Sequence, residues 1–577
     1  MTDAGADGNL YAAFEPVFRA NAAKTLFRTE AGQQISYGTF AERVARMANA
    51  LVALGVKPGD RVMAQIEKSV ENVVLYLATL KAGAVFNPLN TAYTAAELDY
   101  FIGDADPAVI VISADRRAKL DPIAAKHKVT SVMTLEADGS GTLSDLAGQQ
   151  SAVHATVVRS AQDLAALLYT SGTTGRSKGA MITHENLSSN ARVLHAYWGF
   201  VPGDVLLHAL PIFHVHGLFV ALNTAFLNGS EIIWLAKFDA GTVMKLLPEA
   251  TVIMGVPTFY TRLLGEAAFG PEACKKLRLV ISGSAPLLAE THVEFKARTG
   301  LEIHERYGMT EAGMITSNPY HEGQRVAGTV GYALPGVSVR VATKEGQILP
   351  QGEVGVLEVK GPNVFSGYWR NPEKTQEEFR PDGYFITGDL STIGPDGRVT
   401  IVGRAKDLII TGGFNVYPKE IEEELNQLPG VVESAVVGVP HSDFGEAVIA
   451  VLAVAKVGDV GAEADIIKHL GERLAKFKLP KRVFVATELP RNAMGKVQKA
   501  ELRSQYAKIF AGGVRWRVAS PTWPGTLAPR VQYVARPPEM SRTCPVVNEQ
   551  SDEDAQAISA ATSSTVTNRP RGILESM

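Results

Sequence analysis

Residues Thr170, Ser171, Gly172, Thr173, Thr174, Gly175, Arg176, Ser177, Lys178 and Gly179 bring together hydroxyls, glycines and one ammonium. These groups can wrap polyphosphate with backbone N–H donors, side-chain donors and a positive charge. The stretch is not a Walker A loop, because two residues separate Gly172 from Gly175 and Lys178 precedes Gly179. No GxGxxG follows a strand either, which disfavours a Rossmann dehydrogenase. Taken alone, such a loop is equally a flexible linker. Four further polar groupings recur downstream: Tyr307-Gly308-Met309-Thr310-Glu311, Thr387-Gly388-Asp389, Gly403-Arg404-Ala405-Lys406-Asp407 and Pro490-Arg491-Asn492-Ala493-Met494-Gly495-Lys496. Singly, Glu311 reads as a surface charge, Asp389 as a turn residue and Lys496 as a solvated lysine. His214 and His216 could form a metal pair, but no third ligand accompanies them at motif spacing.

The elements that must position these residues follow from apolar periodicity. Strand-length runs recur between residues 61 and 308, separated by helical stretches such as 71–83. That alternation predicts layered α/β structure with largely parallel sheets. The runs at 164–169, 205–210, 251–256, 277–282 and 302–307 lead into polar or glycine-bearing turns: TSGTTGRSKG, PIFHVHG, PTFYTR, GSAPL and GMTE. Ligands of open α/β sheets bind outside the carboxyl ends of the strands, so these turns point to one shared cleft. Short alternating strands from about 325 to 403 predict a β-rich unit. A compact mixed segment follows, with a helix at 418–428 and strands at 432–439, 446–455 and 482–487. The main domain boundary is expected near Lys406, dividing a large domain (1–405) from a small one (406–511).

The chain has 577 residues, 46% hydrophobic and 20% charged, enough for three or four folding units at about 150 residues each. Lys and Arg total 57 against 60 Asp and Glu, which gives no electrostatic reason to expect nucleic acid or an anionic membrane as partner. Two cysteines, Cys274 and Cys544, cannot build a disulfide framework or a thiolate metal site. The N-terminus lacks a signal-peptide pattern and no run of about 18 apolar residues occurs, so a cytoplasmic protein is expected. Residues 512–577 hold seven prolines, seven arginines and no lysine, and are expected to be a disordered, non-catalytic tail. Their abrupt Lys-to-Arg switch is that of out-of-frame translation of a GC-rich gene, with a native Pro-rich tail as the alternative.

The five polar groupings, in this order, resemble those of the adenylate-forming superfamily, and within it the AMP-forming acyl-CoA synthetases, over roughly residues 8–510. The resemblance implies ATP and coenzyme A as co-substrates and Mg²⁺ as cofactor. It places the β- and γ-phosphates in the 170–179 loop, including Thr170 and Lys178, the α-phosphate at Thr310, and the metal at Glu311. Asp389 would take the ribose hydroxyls beside Arg404. Adenine would lie between Tyr307 and the stretch Gly283, Ser284 and Ala285, with Glu305, Arg306 and Gly308 alongside. Lys496 would bridge the carboxylate and the α-phosphate as charge builds, and a lysine acetyltransferase acting there would remove that charge. Lys406 matches the hinge position, and Gly412 and Gly413 the entry of pantetheine.

Arg262 and Arg306, the latter where many relatives carry glycine, suit an acid with a second carboxylate. FHVHGLF, GVPTFYTRLL, ERYGMTE and PRNAMGKVQK further resemble malonate–CoA ligases. That likeness implies malonate as substrate, its distal carboxylate held by Arg262 and Ser284 with Arg306 assisting. His214 would line the acyl site, with Val215 and Met314 crowding the α-carbon. Arg262 reads alternatively as an arginine on an amphipathic helix reaching solvent. Val215 stands where relatives show Thr, which leaves methylmalonate or another small substituted acid as the alternative substrate.

Overall fold

Apolar runs too short for helices become strands, and the longer periodic stretches between them cover both sheet faces. A computed structural model describes residues 7–170, 177–321, 323–412, 414–441, 444–456, 458, 460–492 and 495–510. The expected tail at 512–577 lies outside them. The helix Val70–Lys81 is buried almost throughout, with Ser69 accepting the Asn72 N–H as its N-cap; a helix apolar on all sides belongs inside a core. A nine-stranded sheet runs, in spatial order, through Tyr332–Ala333, Gly313–Ser317, His304–Met309, Leu279–Ser282, Val252–Gly255, Val205–His208, Glu231–Trp234, Thr25–Thr29 and Gln34–Ser36. It is parallel from His304–Met309 to Thr25–Thr29 and antiparallel at both ends. A six-stranded sheet ends in the antiparallel pair Leu164–Thr170 and Lys178–Thr183. Helices sandwiched between the two large sheets bury one continuous core.

The expected β-rich unit is a four-stranded antiparallel sheet of Ser338–Ala342, Gly355–Lys360, Phe385–Ile393 and Val399–Arg404. Beyond a single 3-10 turn, Ala405–Asp407, the chain builds a five-stranded sheet around the pair Val431–His441 and Gly445–Val454. That sheet has its own apolar clusters, one on each face. Among the described residues no helix is long and apolar enough to cross a membrane.

The parallel strands Val205–His208, Val252–Gly255, Leu279–Ser282 and His304–Met309 all point their carboxyl ends the same way, so PIFHVHG, PTFYTR, GSAPL and GMTE gather at one rim. Two of these turns have local signatures. Pro257 starts the helix Pro257–Leu264, where its missing N–H costs nothing. His216 opens a π-helical turn, His216–Leu222, which the sequence did not announce and which is a frequent device at functional sites.

Candidate functional site

Side chains alternate across a strand, and His304–Met309 uses this to serve two compartments. Arg306 turns to one face. Its side chain is buried, and a Cβ on Gly283 would lie 2.4 Å from its Cζ, so only glycine leaves room for the guanidinium. Nε and Nη2 of Arg306 are buried with no hydrogen-bond partner among the described residues. Burial pushes this guanidinium down to about 9, a sign of how poorly its charge is compensated.

Two histidines, His214 and His216, lie near this cation, His208 stands beyond His216, and none opposes it with charge. His214 accepts the His216 backbone N–H at Nδ1 (3.3 Å), which leaves Nε2 to carry its proton. Burial, then Lys496 and Arg306, push His214 down to about 3. His216 lies 3.2 Å by Nδ1 from Ser284 Oγ and is held neutral by burial and Arg306. Burial and the nearby Lys68 hold His208 neutral as well. Ser284 itself sits at φ +72°, a left-handed conformation that costs a non-glycine residue about 1 kcal/mol or more. Val215 and Met314 are buried. The histidine pair gains no third ligand, since no cluster of three or more His, Cys, Asp or Glu suited to a metal occurs among the described residues.

The other face of the strand carries Glu305 and Tyr307. Tyr307 donates its hydroxyl to Asp389 (2.5 Å), and Arg404 pairs with Asp389 at 3.2 Å. Glu305 faces the Leu287 N–H (3.4 Å), and burial pushes it up to about 7 against the pull of Lys419. Gly308 lies where a Cβ would meet the Gly313 carbonyl at 2.2 Å. In the following turn Thr310 leads to the buried Glu311, whose carboxylate lies 3.2 Å from the Tyr368 hydroxyl. Burial, and then the Glu378 carboxylate, hold Glu311 above the usual carboxylate range. Lys178 ends beside Glu378 (3.0 Å) and over the Tyr368 ring (4.2 Å). Thr170 closes the preceding strand, while Ser171, Gly172, Thr173, Thr174 and Gly175 lie outside the described residues.

Lys496 joins the two compartments from the C-terminal part of the chain. Its backbone N–H donates to Asn492 Oδ1 (3.0 Å), and Arg491 bridges to Val497. Gly495, at φ +73°, is so close to the helix Pro257–Leu264 that a Cβ would lie 3.2 Å from Thr258 Oγ1. The Lys496 ammonium is pushed down to about 8 by burial, then by Arg404 and Arg306, against Asp389 and Glu311. Arg306 and Glu311 belong to the strand His304–Met309 and the turn after it, and Asp389 and Arg404 to the facing four-stranded sheet.

Arg262 has a different setting from Arg306. It lies one turn beyond Thr258 on the same helix, is exposed, and faces Arg491 of the Lys496 loop, whose guanidinium it lowers after burial has done so. Lys406 is exposed in the 3-10 turn, whose Asp407 pairs with Arg503. Gly412 adopts φ +56° and donates its N–H to Phe444 O (2.9 Å); Gly413 lies outside the described residues. Tyr368 and Glu378 were missed from the sequence. The Asn371-Pro372 pair announces a helix start there, but nothing local pairs Glu378 with a lysine 200 residues away.

The profile of the AMP-binding enzyme family matches residues 14–369, and that of the AMP-binding enzyme C-terminal domain matches residues 420–496. The solved structure of ATP-bound MatB from Rhodopseudomonas palustris superposes with a TM-score of 0.85 at 56% identity, covering 88% of this chain and all of that one. A malonate–CoA ligase of Arabidopsis thaliana is 36% identical over 484 residues, 78% of each chain. A feruloyl-CoA synthase of an Amycolatopsis species is 35% identical over 483 residues, 82% of this chain and 94% of that one.

Proposed function

Because the chain belongs to the AMP-binding enzyme family and is an AMP-forming acid–CoA ligase, we propose that the acid it activates is malonate. The observation that carries this reading is Arg306: a buried guanidinium with two nitrogens that have no partner among the described residues, close to His214. A charge so placed is stabilised by a carboxylate that arrives with the substrate. The similarity to a malonate–CoA ligase points the same way. Methylmalonate is the second reading, favoured by the replacement of a hydroxyl by a methyl group at Val215.

In this reading one malonate oxygen attacks the α-phosphorus of ATP, the bond to pyrophosphate breaks, and malonyl-AMP forms. The attacking carboxylate is already anionic, so the protein supplies orientation and charge compensation instead of a base. Lys496, with Thr310 nearby, neutralises the α-phosphate as it becomes pentacovalent. His214 offers its Nε2–H toward the acyl carboxylate. Asp389 and Arg404 engage the ribose, Tyr307 and the Gly283–Ala285 stretch flank adenine, and Lys178 meets the outer phosphates. Glu311 suits Mg²⁺: it is a single buried, hard oxygen ligand beside the phosphate site, and such an ion typically takes one or two carboxylates plus phosphate oxygens. Bound there, the ion would neutralise phosphate charge. The thiol of CoA then attacks the malonyl carbonyl and AMP leaves. Residues 406–511 act as a small domain that turns about Lys406 between the two steps, with Gly412 and Gly413 at the pantetheine entry.

The deciding experiment is pyrophosphate release across malonate, methylmalonate, acetate, octanoate and coumarate. Malonate is expected to lead. A preference for octanoate or coumarate would sink the dicarboxylate reading.

A pH dependence also follows. Lys496 compensates charge only when protonated, and its ammonium is lowered from 10.5 to about 8. The kcat/KM for adenylation, which reports the free enzyme, is expected to hold below pH 8 and to fall about tenfold per unit above it. A profile flat to pH 10 would exclude Lys496 from this role.

A further inference from the structure

We infer that Glu378 is a positioning residue that presents Lys178 to the outer phosphates of ATP. This inference rests on the reading of Lys178 as a phosphate ligand and adds a residue to it. Glu378 ends the short helix Pro372–Glu378 and is little exposed, as is Lys178. One of its oxygens pairs with the Lys178 ammonium at 3.0 Å and the other accepts the Tyr368 hydroxyl at 2.6 Å. Lys374 approaches the same carboxylate at 3.2 Å. The Lys178 ammonium also sits over the Tyr368 ring, so an anion on one side and a π face on the other fix a side chain that is otherwise long and mobile.

The backbone around this group leaves it little freedom. Trp369 donates its N–H to Gly179 O (2.7 Å), and Ala180 bridges Tyr368, which ties the segment to the strand that carries Lys178. Tyr368 donates its N–H to Thr375 Oγ1 (2.9 Å), and Thr375 Oγ1 donates to Asn371 O (2.9 Å). A phenol has one proton to donate. With Glu378 accepting it at 2.6 Å, the longer 3.2 Å contact leaves Glu311 oxygens available to the nucleotide site. Glu378 therefore serves the phosphates through two other side chains without touching them.

The test is a double-mutant cycle on nucleotide binding. Glu378→Gln, Lys178→Met and the double variant are titrated calorimetrically with the α,β-methylene analogue of ATP, and KM for ATP is measured in pyrophosphate release. Glu378→Gln should weaken the analogue roughly tenfold, in line with the loss of one charged hydrogen bond, and raise KM for ATP more than it lowers kcat. Added to Lys178→Met, it should cost less than about twofold further, because the residues act as one unit. Parental affinity in Glu378→Gln, or losses that multiply in the double variant, overturns the inference. Parental affinity in Lys178→Met instead overturns the phosphate role of Lys178, a separate failure.

Discussion

Lys496→Ala is expected to lower malonyl-AMP formation by roughly a hundred- to a thousandfold, the range for removing one preorganised group from a developing anion. The ammonium lies among Arg404, Asp389, Arg306 and Glu311, between the nucleotide face and the acid face of the strand His304–Met309. No other cation bridges these two faces among the described residues: Arg404 is paired with Asp389, and Arg306 lies on the acid side. Supplied with preformed malonyl-adenylate and CoA, the variant should form thioester within a few-fold of the parent rate, because in the proposed cycle the small domain has turned and withdrawn Lys496 before the thiol attacks. Pyrophosphate–ATP exchange measured beside this half-reaction checks the assignment. Parental exchange, or equal loss in both steps, would refute it.

Arg306→Met should lower kcat/KM for malonate roughly a hundredfold to several thousandfold, from about 3–5 kcal/mol lost when a buried ion pair forfeits one partner, at about 1.4 kcal/mol per decade. Butyrate, which brings no second charge, should react at the parental rate or faster. The free protein supplies an independent signature. Arg306 has two buried nitrogens without a partner among the described residues, so replacing it with an apolar side chain of similar length removes an uncompensated charge, and Tm should be unchanged or higher. A merely structural arginine would lower Tm on removal. Arg262 provides the contrast: exposed and facing Arg491, it should cost malonate no more than about tenfold as Arg262→Ala, because solvent already screens it. A fall in butyrate and malonate by the same factor in Arg306→Met would end the distal-carboxylate reading.

The contrast between these two arginines also shows how far the sequence could be read. Arg306 stands near the end of a strand of the rim and Arg262 on the helix that starts at a neighbouring turn, and by residue type they are equals. The strand runs at 205–210, 251–256 and 277–282 were legible because buried parallel strands are continuous apolar runs. The polar turns after them followed from the rule for strand ends. Whether an arginine at this rim is buried depends on what packs against it: Gly283 leaves the space for Arg306, while the helix Pro257–Leu264 turns Arg262 outward by its own period. Neither condition is local. The same holds for Glu378, whose partner lies 200 residues away, and for the π-helical turn at His216, which has no composition of its own.

The alternation along His304–Met309 also bears on how such a protein can change over generations. On the proposed function, position 306 addresses the acid and positions 305 and 307 face the nucleotide side, so a point substitution at 306 would change which acid is accepted while the ATP machinery is inherited intact. An inserted or deleted residue in the strand would exchange the two faces at once. Drift in acid preference is therefore open to single codon changes at this strand, whereas length variation there is closed, and descendants with new substrates should differ at 306 in identity and never in register.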